Sequence, residues 1–140
     1  MRKAAELSIA AILFATLFLA SCAKQDDPAA TPTSSDPRDK FLGNWHVSEN
    51  SKDNGAATYN CTISDSSDAT HILIAYLWGL NKKIYGTPSG SNFTIPAQTI
   101  QGFSVSCNNG VLASANQINM TYFVRTTSTH YDTVTAVLSK

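Results

Sequence analysis

The side chains able to do chemistry in this 140-residue chain are few and widely spread. His46, His71 and His130 lie far apart, and no His or Cys spacing matches a tetrahedral metal site. Paired carboxylates for glycoside cleavage would have to come from Asp39, Glu49, Asp53, Asp65, Asp68 or Asp132. Most of these stand in turn-like stretches such as "SDSSDA", where aspartate accepts hydrogen bonds from backbone amides. Asp65 and Asp68 lack the Asp-x-Asp-x-Asp-Gly context of a calcium loop. The serine-rich "GFSVS" at Gly102 lacks the second glycine of a strained nucleophile turn. The residues therefore predict a non-enzymatic protein with no catalytic residues, no metal and no cofactor.

Cys22, Cys61 and Cys107 remain. Cys22 ends an apolar run, "LSIAAILFATLFLA" from Leu7 to Ala20, that follows the basic Arg2 and Lys3 and gives way at once to "AKQDDP". A basic start, a short apolar segment and small residues before a boundary are the layout of a secretory signal. The run is shorter than the roughly 20 residues that a spanning helix needs.

"LASC", Leu19 to Cys22, resembles the lipobox of bacterial lipoproteins, in which the thiol receives a diacylglycerol, the peptidase cuts ahead of the cysteine, and the new amino terminus is acylated. The resemblance implies residues 1–21 as a cleaved signal peptide, Cys22 as the lipid-attachment residue, and a membrane partner engaged through acyl chains. Two or more such chains hold a protein stably at a bilayer. "AKQDDP" resembles the Lys/Gln-plus-acidic signal that routes lipoproteins of Bacteroidota to the outer face of the outer membrane. The expected location is thus the cell outer membrane, lipid-anchored and surface-exposed, with a periplasm-facing orientation as the alternative.

Residues 22–38 carry three of the five prolines and no apolar side chain larger than alanine. Such a segment buries too little surface to offset chain entropy and is expected to be a disordered tether. Loss of Arg2, Lys3 and Glu6 with the signal turns the ten basic and ten acidic residues into eight and nine. A nearly neutral chain whose only adjacent basic pair is Lys82 and Lys83 has no patch to neutralise phosphates, which argues against nucleic acid.

From 39 to 140 the pattern becomes alternating, with Gly, Asn and Asp punctuation, as in antiparallel strands. Trp45 and Val47 share a parity, as do Tyr59, Cys61 and Ile63; Phe103, Val105 and Cys107; Ile118, Met120, Tyr122 and Val124; and Val134, Ala136 and Leu138. Each set reads as one inward face. Further strands are predicted at His71–Leu77, Lys83–Thr87 and Ser91–Pro96, with turns at "NGAA", "SDSSDA", "PSGSN" and "NNG". The fold class is all-β: an antiparallel meander of about eight strands forming a small barrel or sandwich.

"FLGNWHVSEN", Phe41 to Asn50, resembles the opening strand of lipocalins and fatty-acid-binding proteins, whose Gly-x-Trp element seals one end of a barrel. Gly43 and Trp45 hold those positions. The layout from "FTIPAQTIQGFSVSCNNG" to "DTVTAVLSK" is similar to small lipocalin-like lipoproteins of Bacteroidota. The resemblance implies a lipocalin-like binding module for a small apolar or glycan ligand, entering opposite Trp45. Trp45, Tyr59, Tyr76, Phe103, Met120 and Tyr122 are the candidate ligand-facing or core residues. Tyr76 and Trp78 could form a stacking platform. The other reading is a structural or interaction lipoprotein with a packed core and an envelope protein as partner, contacted through Lys82, Lys83 and Trp78.

Cys61 and Cys107, both on inward faces, are left in an oxidising compartment as either a disulfide or two buried thiols. A bridge would close a loop of roughly 46 residues, for ~4 kcal/mol on the loop-entropy account.

Overall fold

Period-two alternation lets a strand put every second side chain into a shared interior and every other one into water. The computed structural model describes residues 36–140, within one compact unit, Ser34–Lys140. Cys22, the signal segment and the tether ahead of Asp36 lie outside the described residues. Eight strands run β1 Gly43–Ser51, β2 Gly55–Asp65, β3 Ile72–Ala75, β4 Lys83–Ser89, β5 Asn92–Ile100, β6 Phe103–Ser114, β7 Gln117–Arg125 and β8 Tyr131–Ser139. Each pairs antiparallel with the next, and β8 returns to β1, so the sheet is a closed up-and-down barrel with no free edge.

The parity sets fill the interior. Trp45 and Val47 of β1, Cys61 and Ile63 of β2, Val105 and Cys107 of β6, Ile118, Met120, Tyr122 and Val124 of β7, and Val134, Ala136 and Leu138 of β8 are all buried. Phe93 and Ile95 of β5 complete the middle layer. A Cβ built on Gly110 of β6 would stand 2.4 Å from Phe93 Cζ, so the glycine is the recess that admits this ring.

One end is plugged. The 3₁₀ turn Asp39–Phe41 folds under the barrel, Phe41 is fully buried, and its ring meets Phe93 edge-on at 5.5 Å. Trp45 Nε1–H donates to the Phe41 carbonyl at 2.8 Å. Lys140 Nζ sits 4.1 Å from the Trp45 ring centroid and donates to the Leu42 carbonyl at 2.6 Å. Arg38 pairs with Asp36 at 2.6 Å and donates to the Asp68 carbonyl at 2.6 Å, holding the approach to the barrel against the β2–β3 connection.

The structure differs from the sequence reading in three places. The strand predicted at His71–Leu77 stops at Ala75, because Tyr76 and Trp78 take left-handed backbone angles (φ 68° and 54°) and the chain turns through Leu77–Gly79. "NNG" is not a turn but a register shift inside β6, between Cys107 and Asn109. Pro88 is a strand residue opposite Phe93, and the β4–β5 hairpin turns on Gly90 and Ser91 alone, with Gly90 at φ +57°. Pro96, which has no N–H for the ladder, falls in the irregular pairing of β5 between Ile95 and Gln98.

Candidate functional site

The end opposite Trp45 is where the interior turns polar. Along β1 the inward positions run Trp45, Val47, Glu49, Ser51, so the face that begins in hydrocarbon ends in a carboxylate and a hydroxyl. Glu49 is only 7% exposed. Its Oε2 accepts from Tyr59 Oη at 2.6 Å and from Tyr122 Oη at 2.5 Å. Tyr59 Oη in turn accepts the Trp78 backbone N–H at 2.8 Å, which ties the loop after β3 to the carboxylate. Burial, followed by the hydrogen bond to Glu49, holds the Tyr59 phenol above its usual range; burial also raises Tyr122, with Tyr59 and Glu49 adding to it. Both phenols therefore remain donors.

All hydrogen bonds to Glu49 fall on Oε2, yet no fully buried side-chain N or O atom among the described residues lacks a partner. Oε1 is therefore the oxygen that reaches open space. Glu49 also lines an open hollow of about 310 Å³ together with Asn54, Ala57, Tyr59, Trp78 and Gly79. Trp78 packs edge-on against Phe103 at 5.2 Å and forms the outer wall. Two non-glycine residues at positive φ, Tyr76 and Trp78, in one short loop are a local strain of the kind that collects at ligand clamps.

A second polar group stiffens this end. Asp132, fully buried at an inward position of β8, accepts from Ser51 Oγ at 2.7 Å, the Asp53 N–H at 3.2 Å and Asn54 Nδ2 at 3.4 Å. Ser51 Oγ then accepts the Asn54 N–H at 2.8 Å. The β1–β2 turn, which carries one wall of the hollow, is thus capped from the neighbouring strand.

Of the sequence candidates, Tyr59 and Phe103 stand half-buried at this mouth, while Trp45, Met120 and Tyr122 are packed into the core. Tyr76 is 49% exposed and faces outward; its strand parity ended with β3, so it does not share an inner face with the others. The Tyr76 and Trp78 platform does not form, since Trp78 turns to Phe103 instead. Lys82 and Lys83 are exposed, beside Tyr76 around a surface hollow of about 260 Å³. Cys61 and Cys107 are two free buried thiols, on β2 and β6, the unbridged one of the two arrangements. Burial pushes the Cys61 thiol up to about 12 and raises Cys107 as well.

The sequence presents Glu49 and Asp132 only as possible hydrolytic carboxylates. The signal that marks them is parity: Glu49 lies two residues beyond Val47, and Asp132 two before Val134, each on a strand's inward face. Glu49 faces two phenols rather than a second carboxylate, which does not form the acid pair of a glycoside hydrolase. Asp36, Asp39 and Asp65 approach one another at the plugged end, but Arg38 is already among them, paired with Asp36 and 3.6 Å from Asp65. The outer wall bears a wider, shallow depression of about 580 Å³ over β1, β8 and β7, whose outward side chains are Ser48, Asn50, Asn119, Thr121, Thr135 and Val137.

No family model and no curated protein matches the sequence. The fold is similar to a redesigned β-barrel, with 12% identity and a TM-score of 0.55 over 75% of this chain and 95% of that one. It is similar also to EF1p2_mFAP2b, solved bound to DFHBI, with 13% identity and a TM-score of 0.52 over 76% of this chain and 99% of that one. These likenesses establish an eight-stranded barrel architecture and nothing finer.

Proposed function

We propose that this protein is a lipocalin-like lipoprotein, anchored to the outer membrane through Cys22, that binds a small ligand at the mouth of its barrel and performs no catalysis. One observation carries the binding reading: a nearly buried carboxylate, with both of its phenol donors on one oxygen, lines an open hollow of about 310 Å³. The volume is at the lower end of ligand pockets, so the ligand is small or enters only in part. That one structural neighbour was solved with DFHBI bound is compatible with a barrel of this size holding a ligand. The anchorage reading rests on the lipobox-like "LASC" and the proline-rich tether, and the surface location on "AKQDDP".

Native mass spectrometry of the protein from its own membranes tests both halves. A chain that begins at Cys22 with acyl mass, and carries a ligand lost in Trp78→Ala, is the expected result. A ligand-free, unacylated chain would overturn the proposal.

The outer wall favours a second reading, that of an interaction protein. Among the described residues, the exposed charges in strands stand at strand ends, Asp65, Lys83 and Arg125, and Asn and Thr predominate at the outward positions of β1, β7 and β8. Asparagine is depleted in strands, and surface strands ordinarily carry mixed charge. If the outer wall docks an envelope partner, cross-linking from residue 119 or 135 in intact cells captures one, and capture survives Glu49→Gln.

A further inference from the structure

Glu49 sits where a hydrophobic barrel has no packing need for a carboxylate. Buried charges in proteins are paired with an opposite charge or a metal. Every ion pair among the described residues belongs to Arg38, His71 or His130, and none reaches Glu49 or Asp132; Asp132 is met by donors on both oxygens, whereas the donors to Glu49 fall on Oε2 alone. The groups that face it are the Tyr59 and Tyr122 phenols, both neutral donors, and, at longer range, the Cys61 thiol, whose rise Glu49 augments. Two phenols fix the carboxyl through Oε2 and leave Oε1 without a protein donor. The hollow beside it offers no cationic side chain, only Asn54, Ala57, Tyr59, Trp78 and Gly79.

We infer that this mouth binds a small organic ammonium, its N–H groups donating to Glu49 Oε1 and its carbon body lying against Ala57, Tyr59 and Trp78. The inference rests on the binding reading above and deepens it by naming the ligand class. An anion is repelled by the carboxylate. A metal ion would need several oxygen ligands converging, and this wall supplies one carboxylate. An alkyl or aryl ammonium satisfies the charge through Oε1, buries its carbon against an apolar wall, and gains from an aromatic neighbour. A neutral alcohol of the same shape makes the hydrogen bond but leaves the charge uncompensated.

The test is an amide NMR titration of the isolated protein with benzylamine, benzyl alcohol and benzoate. Benzylamine is expected to shift the amides of Ala57, Tyr59, Trp78 and Gly79, with a Kd about tenfold below that of benzyl alcohol, while benzoate shifts none of them. In Glu49→Gln, which keeps an acceptor for both phenols, the preference for benzylamine disappears. Should that variant fail to fold, Trp78→Ala is expected to weaken benzylamine while the remote Met120 and Val134 amides stay in place. Equal affinity for benzylamine and benzyl alcohol at these amides would overturn the ammonium inference and leave the binding reading standing. Absence of shifts there with all three probes would overturn both.

Discussion

Gly110→Ala separates two physical accounts of the barrel by the sign of its effect. Gly110 is a strand residue outside the left-handed region, so backbone entropy alone predicts that alanine stabilises the protein by about 0.4–1 kcal/mol. Packing predicts the reverse. The new Cβ would stand 2.4, 2.5 and 2.9 Å from three atoms of the Phe93 ring, where carbon contacts are optimal at roughly 3.5–4.0 Å. Phe93 is fully buried and braced by Phe41, so it cannot swing aside. An overlap of roughly 1 Å places the cost at the upper end of overpacking, about 2–3 kcal/mol, or about 10–20 °C in Tm for a domain of this size. Urea titration at constant slope measures it. Removing the ring should reverse the penalty: in a Phe93→Leu background Gly110→Ala should cost at least about 1 kcal/mol less. A neutral or stabilised Gly110→Ala would show that the recess is not closed by the Phe93 ring and that the interior is looser than described.

Tyr122→Phe removes a buried donor from a carboxylate and is expected to cost about 1.5–3 kcal/mol in chemical denaturation; a change within about 0.5 kcal/mol would mean that the bond carries no charge assistance. Both core thiols should resist iodoacetamide at pH 8 in the folded protein and react fully in denaturant, since both are buried and burial raises each above its ordinary value. A mobility change on non-reducing gels would contradict this. In the β2–β3 connection, the Thr70 N–H above all, then the Thr70 hydroxyl and His71, holds the Asp68 carboxyl below its ordinary 3.8. A depressed folded value stabilises above the unfolded value near pH 4 and is lost as pH falls through the folded one. Carbon NMR of Asp68 should therefore titrate below 3.8, with the 66–71 amides shifting in the same acid range. A midpoint at or above 3.8 would refute the network.

The strands whose inner faces are mostly apolar, β7 above all, were readable because period two leaves one arrangement that buries them. Trp45 was readable as a floor for the same reason, aided by the Gly-x-Trp resemblance. Tyr76 and Trp78 were misread because a short apolar run does not reveal where extended backbone stops, and nothing local announces left-handed angles at aromatic residues. "NNG" misled because its glycine answers to a ring seventeen residues away in sequence, a tertiary demand rather than a turn. The site was half-legible: Tyr59 and Phe103 were named, but Glu49 was set aside because an isolated acidic residue reads as surface until its parity is followed into the interior. The loop that supplies Trp78 depends on a hydrogen bond to Tyr59 that only the closed barrel brings into range.

The clasp of Lys140 over Trp45 also fixes a direction. Asp39–Phe41 and Lys140 both belong to the plugged pole, so a linker attached at Lys140 starts from there. Strands of nine residues inclined in a barrel put the opposite rim roughly 20 Å further along the axis. An immobilising linker at Lys140 would therefore present Glu49 outward, like a cup held by its base.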